Sequence, residues 1–230
     1  MMVAMSVTSG RPWRAGPRPG RRPTFEIADI AEAALAVGFR DLTMTAVAAR
    51  LGVKHSSLYR HVPSRDDLLI AAMDLAVRRV EWPEPDAGWR VYLERTGDTV
   101  WEVFAAHPGM AERVRELPRT PPAVIRLFYK TAHALTGFGF PPRLAVLAVD
   151  SVVDLAADVY VGYEQLSRRH DVPEGGTAGA LDLLRESWAA RPEPESAALA
   201  EIVREVIEGD PREWYRAKLA LLLDGTATRL

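Results

Sequence analysis

The chain has 230 residues, 48% of them apolar, a formal net charge of −2 and no cysteine. That length allows one core-forming domain, or a small domain beside a larger one. The missing cysteines exclude a disulfide framework, cysteine zinc sites and thiol catalysis. No apolar run reaches the ~18 residues a bilayer-crossing helix needs, and the N-terminus lacks the apolar stretch of a secretion signal, so a cytoplasmic protein outside the membrane is expected.

Residues 1–23 are dense in Gly, Pro and Arg, without hydrophobic period, and read as a flexible basic arm. Arg11, Arg14, Arg18, Arg21 and Arg22 can reach phosphates or a minor groove, or belong to a solvated tail. Thr24 is expected to open a first helix ending at Val37, with Gly38 as its stop. Ile27, Ile30, Ala31, Ala34 and Leu35 recur there at helical spacing. Phe39 and Leu42 then close a small core over the next two helices.

Residues 42–69, LTMTAVAARLGVKHSSLYRHVPSRDDLL, carry the most information. Thr43 or Thr45 caps a short helix whose inward side is Val47, Ala48 and Leu51. Gly52 follows where a chain leaving a helix needs a left-handed residue. Val53 and Leu58 give the next segment an inward face. Helix, short glycine turn and second helix make the helix-turn-helix pattern, or on a blander reading an ordinary surface αα-hairpin. A second helix destined for a major groove carries small or polar groups outward. Here these are Lys54, His55, Ser56, Ser57, Tyr59, Arg60 and His61. Ser64 caps the following helix, with Asp66 and Asp67 in its first turn, where the helix dipole favours acids.

Charge is divided along the chain. Residues 1–65 carry 10 Lys and Arg against 4 Asp and Glu, hence +6; the remainder carries 19 against 27, hence −8. A basic head on an acidic body suits a protein whose head alone meets a polyanion.

The body reads as helices throughout: about 64–80, 88–106, 110–116, 122–135 and 142–169, a possible short helix at 180–189, then 195–207 and 211–223. Prolines 83, 85, 118, 121 and 122 punctuate them, and residues 171–194 read as loop around the short helix. Nothing alternates with period two over a useful length, so the chain is expected to be all-α.

No catalytic constellation stands out. The five histidines are scattered, without i,i+4 pairs, and no HExxH, Walker, GxGxxG or GxSxG motif occurs. The chain is therefore not expected to be an enzyme, and no cofactor or metal is implied. Asp150, Asp154 and Asp158 share one helical stripe, as a cation or effector site, or as a face that is solvated or paired with arginines. Trp101, Phe104, His107, Phe128, Thr131, Tyr160 and Tyr163 either line a small-molecule cavity between the long helices or are plain core.

With the words LTxxxVAxxLGV, LYxHV and RxDLL in view, the stretch resembles the TetR family of bacterial repressors, and within it the branch around the tetracycline repressor. The resemblance covers residues 24–70. It implies a three-helix helix-turn-helix domain at 24–70, followed at 71–230 by a larger helical domain for effector binding and dimerisation. It also implies a homodimer on a double-stranded, near-palindromic operator, released by a small-molecule effector. The alternative is a helix-turn-helix protein binding DNA or a partner without an effector.

Under that resemblance Thr43, Thr45, Tyr59, His61 and Arg65 are assigned to phosphates, and Lys54, His55, Ser56 and Arg60 to base edges. Family members pair through their last long helices. Here these are about 142–169 and 211–223, with Leu144, Leu147, Val152, Leu155, Trp214, Leu219 and Leu222 suited to the seam. In the tetracycline repressor a magnesium-binding histidine lies on the short helix after the break. Met110-Ala111-Glu112-Arg113-Val114-Arg115 has none, so another effector is expected.

Overall fold

The structure, a computed structural model, describes residues 25–171, 177–189 and 197–230. The basic arm and the expected start at Thr24 lie outside the described residues, as do parts of the 171–194 loop. The head comprises α1 (Ile27–Val37), α2 (Met44–Arg50) and α3 (His55–Leu58). Helix α4 (Arg65–Arg78) leads into α5 (Trp89–Ala106), α6 (Met110–Glu116), α7 (Pro122–Gly137) and α8 (Pro142–Leu166). Two three-residue strands, β1 (Arg169–Asp171) and β2 (Thr177–Gly179), precede α9 (Ala180–Ala189), α10 (Ala197–Glu208) and α11 (Pro211–Ala227).

Local chemistry accounts for the helix ends. Asp29 Oδ2 accepts from the Glu26 backbone N–H (2.8 Å), closing a reciprocal capping box at α1. Pro122, Pro142 and Pro211 each sit in a helix's first turn, where an N–H has no partner to lose. Trp82 Nε1 donates to Val77 O (3.0 Å), so the residue opening the proline-rich break also satisfies a carbonyl at the end of α4.

Among the described residues the architecture is all-α apart from the antiparallel hairpin, which pairs Arg169 with Gly179. The hairpin corrects the expected end of α8. The helix stops at Leu166 because Arg169 enters a strand too short to show period-two alternation.

One continuous core runs from Ile30 in the head to Leu223 in α11. Helix α4 straddles the expected domain boundary at residue 70, burying Leu68, Leu69, Ala72, Met73 and Ala76 between α1 and α7. Polar ties reinforce it: Asp74 Oδ1 accepts from the Ala123 N–H (2.6 Å), and Asp67 pairs with Arg119 before α7. Helix α8 is the body's spine, packed on α5, α6, α7 and α11. Helix α11 is fastened to α5 by a two-pronged Arg216–Asp98 pair (3.0 and 2.9 Å) and by Arg212–Glu102 (2.7 Å).

The expected dimer seam is corrected in part. Val152 and Leu219 are fully buried within the protomer, on the faces by which α8 and α11 meet its core, and cannot reach a partner. Leu144, Leu155 and Leu222 are half-buried, while Leu147 and Trp214 are exposed. Val146 and Leu221, not among the expected residues, are exposed on the same helices.

Candidate nucleic-acid interface

The turn between α2 and α3 follows from its residues. Thr43, not Thr45, is the cap: its Oγ1 accepts from the Ala46 N–H (3.1 Å), and Thr45 stays exposed. At the other end Gly52 takes φ +66°, which a Cβ would strain. The Val53 N–H reaches back to Ala48 O (3.0 Å), the long bond of a Schellman ending. This reversal drives α3 back onto α2, with Leu58 and Val62 fully inside.

Fixing those two apolar anchors decides where the other side chains go. Lys54, His55, Ser56, Tyr59, Arg60 and His61 are all exposed, while Ser57 is half-buried. Helix α3 itself is short and continues as a turn, with the Val62 N–H donating to Leu58 O (3.0 Å). Two of the outward rings are steadied by neighbours. His55 meets Tyr59 edge-on (4.8 Å between centroids), and His61 lies against Phe25 (4.8 Å). Arg65 is half-buried and donates from Nε to Leu42 O (3.2 Å), so part of its fork holds the loop before α2. A frame of buried Leu58 and Val62 with a cationic, hydroxyl- and imidazole-bearing exterior can present donors and acceptors to a polyanionic groove.

Beneath the frame, Ser64 Oγ accepts from the Asp67 N–H (3.1 Å) and donates to Asp67 Oδ2 (2.6 Å). These bonds, with the Arg119 guanidinium, hold the Asp67 carboxyl below the usual carboxylate range.

The expected effector residues divide. Trp101, Phe104 and Tyr160 come together: Tyr160 meets Trp101 edge-on at 5.0 Å and Phe104 at 5.7 Å. Tyr163 and Tyr215 stack near-parallel to Trp101, at 6.3 and 5.1 Å. Burial, then the Glu164 charge, pushes the Tyr160 phenol up. His107 faces the head, edge-on to Phe39 at 6.0 Å; burial and the Arg79 charge lower its pKa, which favours the neutral ring. Thr131 is buried and accepts from the Tyr92 hydroxyl (3.5 Å), and Phe128 is half-buried beside Tyr129.

The acidic stripe on α8 is exposed, and Asp158 pairs with Arg115 of α6. Burial first, then Asp150 and Asp158, raise the Asp154 carboxyl, against the Arg115 charge. Among the described residues no group of three or more His, Asp or Glu is placed to hold a metal ion.

Sequence reasoning missed one polar junction. Arg40, in the loop between α1 and α2, pairs with the buried Glu164 near the end of α8 (2.8 Å). The signal was faint: a single acid inside the apolar run VYVGYEQL.

Comparison with known proteins agrees with this geometry. Residues 27–72 match the family described as bacterial regulatory proteins, tetR family. The HTH-type transcriptional repressor DrrR1 of Streptomyces coeruleorubidus is 29% identical over 201 residues, covering 82% of this chain and 74% of that protein. An HTH-type transcriptional regulator of Saccharopolyspora erythraea is 33% identical over 147 residues, 63% of this chain and 60% of that protein. In fold, the chain is similar to the TetR family protein ActR of Streptomyces coelicolor in complex with actinorhodin, with a TM-score of 0.74 at 23% identity, over 89% of this chain and 98% of that one.

Proposed function

We propose that this chain, whose helix-turn-helix domain is of the tetR-family type, is a transcriptional repressor that binds a near-palindromic operator as a homodimer and leaves it when a small-molecule effector binds. The observation that carries the reading is the surface between Gly52 and Val62. Its apolar residues are spent on the core, and Lys54, His55, Ser56, Tyr59, Arg60 and His61 all face outward.

In this reading Lys54, His55, Ser56 and Arg60 meet base edges, with Ser57 beside them, while Thr43, Thr45, Tyr59, His61 and Arg65 hold phosphates and fix the register. Exposed apolar residues on α8 and α11, Leu147, Trp214, Val146 and Leu221, support a two-fold seam there. Two heads about 34 Å apart then enter successive major grooves.

The effector pocket centres on Trp101, Phe104 and Tyr160, with His107, Phe128 and Thr131 at its margin. That ActR is described in complex with actinorhodin supports a small-molecule effector for this chain too. The nearer tie to the tetracycline-repressor branch rests on the motif words in residues 42–69. Among the described residues no helix is long and apolar enough to cross a membrane, in keeping with a regulator that works in the cytoplasm.

The test is selection of bound fragments from random and genomic DNA, followed by a screen for small molecules that release them. A recurrent inverted repeat, released by one compound class, is the expected result. Binding that depends on salt but not on sequence would instead favour a DNA- or partner-binding protein without an effector.

A further inference from the structure

We propose that Glu164 is a latch that ties the DNA-binding head to α6 and α8 of the body, so that a shift of either helix is felt as a change in head position. The proposal rests on the head being the DNA-binding part. Its groups come from three places in the chain. Arg40 stands in the α1–α2 loop, Gly109 caps α6, and Glu164 lies near the end of α8. Glu164 Oε1 accepts from Arg40 Nη2 (2.8 Å) and from the Gly109 backbone N–H (2.9 Å), with Oε2 at 3.3 Å from the same amide.

The Glu164 side chain is 6% exposed, whereas the Arg40 side chain is 60% exposed. The two partners are therefore unequal. A buried carboxylate separated from its cation keeps the desolvation cost without the attraction, whereas Arg40 can return to water. Holding Arg40 in place consequently matters more to the body than to the head, which makes the head's position sensitive to where α8 places Glu164.

Contacts around the pair make the coupling stiff. A Cβ on Gly109 would stand 2.8 Å from Arg40 Cγ and 3.2 Å from Arg40 N, so the head loop lies directly on the start of α6. Phe39 meets His107 just before it. Helix α6 is joined to α8 by Arg115–Asp158 and to the turn just after α8 by Glu112–Arg168 (2.8 Å), so it is tied to the end of α8 at two points. An open cleft of about 430 Å³ alongside, with Arg113, Ser167 and Arg168 in its walls, leaves Arg40 room to withdraw. Tyr160 sits one helical turn before Glu164 in the aromatic cluster, so a molecule that displaces that ring moves the end of the latch. A ligand biases the head only if it binds the two latch states unequally.

Glu164→Gln keeps the shape and an acceptor for Gly109 but removes the charge that holds Arg40. Hydrogen exchange on the free full-length protein reads the latch without DNA. Amides of α1–α3 should exchange about fivefold faster in Glu164→Gln and in Arg40→Met, those of α5 should not change, and the double variant should be no faster than either single one. On a DNA fragment selected by the wild-type protein, Glu164→Gln should bind about tenfold more weakly with an unchanged salt slope. Head amides exchanging at wild-type rates in both variants would overturn the latch. So would a loss of affinity and of salt slope in Arg40→Met with none in Glu164→Gln, since Arg40 would then be a phosphate contact. If Glu164→Gln does not fold, Arg40→Met decides by exchange alone, its side chain being mostly in water. If the wild type selects no fragment, the DNA reading fails while the exchange comparison still judges the latch.

Discussion

Tyr215 of α11 lies nearly parallel to Trp101 of α5, 5.1 Å between ring centroids and 23° between planes. The stack carries the Tyr215 hydroxyl into the core, where it has no hydrogen-bond partner. The ring enters because α5 has Gly97 beneath it; a Cβ there would collide with the hydroxyl.

An unpartnered buried hydroxyl costs about 1–3 kcal/mol. Tyr215→Phe keeps the stack and removes that cost, so the variant should be about 1 kcal/mol more stable in denaturant titration. A clear destabilisation would mean that the hydroxyl has a partner in solution. Gly97→Ala should act in the opposite sense, lowering stability by about 1–3 kcal/mol through overpacking against Tyr215.

The same phenol gives a pH dependence. Burial foremost, and then the Asp98 charge, push Tyr215 far up, so the folded state keeps it neutral where an unfolded chain ionises near pH 10. Its contribution is therefore complete below about pH 10 and is lost as pH rises toward the folded value, at up to about 1.4 kcal/mol per pH unit. Thermal melts from pH 9 to 11.5 should show a fall that is shallower in Tyr215→Phe. Identical slopes would contradict this account.

Helix capping in the head offers a test of its frame. Ser64→Ala should cost about 1 kcal/mol, since the Asp67 N–H loses its acceptor. Gly52→Ala should cost about 1–2 kcal/mol, the strain of a left-handed residue with a Cβ. Both are read by melting of the full-length chain, and Gly52→Ala should also weaken DNA binding because it mis-sets α3. Normal affinity in a Gly52→Ala protein of normal stability would count against the turn as the element that aims α3.

On a selected operator, Lys54→Ala and Arg60→Ala should each lose about 1–3 kcal/mol and relax preference at one base position. His61→Ala and Tyr59→Phe should weaken every sequence alike. Binding isotherms against single-base operator variants separate the two behaviours. A uniform loss for Arg60→Ala would move that residue to the phosphate group.

For the proposed dimer, Leu221 is the sharpest probe. It is 75% exposed in the protomer, so Leu221→Glu leaves the protomer's own core intact and places a charge on the exposed face of α11. Sedimentation should show the variant as a monomer at concentrations where the wild type is a dimer. An unchanged mass would place the seam elsewhere.

Local chemistry made most of the helices readable. Prolines at 122, 142 and 211, the caps Thr43 and Ser64, and glycines 38 and 52 act within a turn or two of their own position, and the structure uses each of them there. The outward set on α3 and the residues flanking it was legible for the same reason, Ser57 excepted: with Leu58 inside, the helical period leaves Lys54, His55, Ser56, Tyr59, Arg60 and His61 outside, while Ser57 is half-buried.

Which apolar face meets which neighbour was a different matter. Val152 and Leu219 share helices with Leu147 and Leu221, and all four suit a seam by composition; packing against α5 consigns the first pair to the core and leaves the second exposed. Arg40 and Glu164 are 124 residues apart, and no periodicity links them. The sequence by itself therefore determined most of the helices and most of the head's outward chemistry, because capping, turn geometry and helical period are short-range, whereas the three-residue strands of the hairpin are too short to carry a period. Tertiary structure alone decided the orphaned Tyr215, the exposed Leu221 and the tie from Arg40 to Glu164, because burial and charge pairing depend on where distant segments meet.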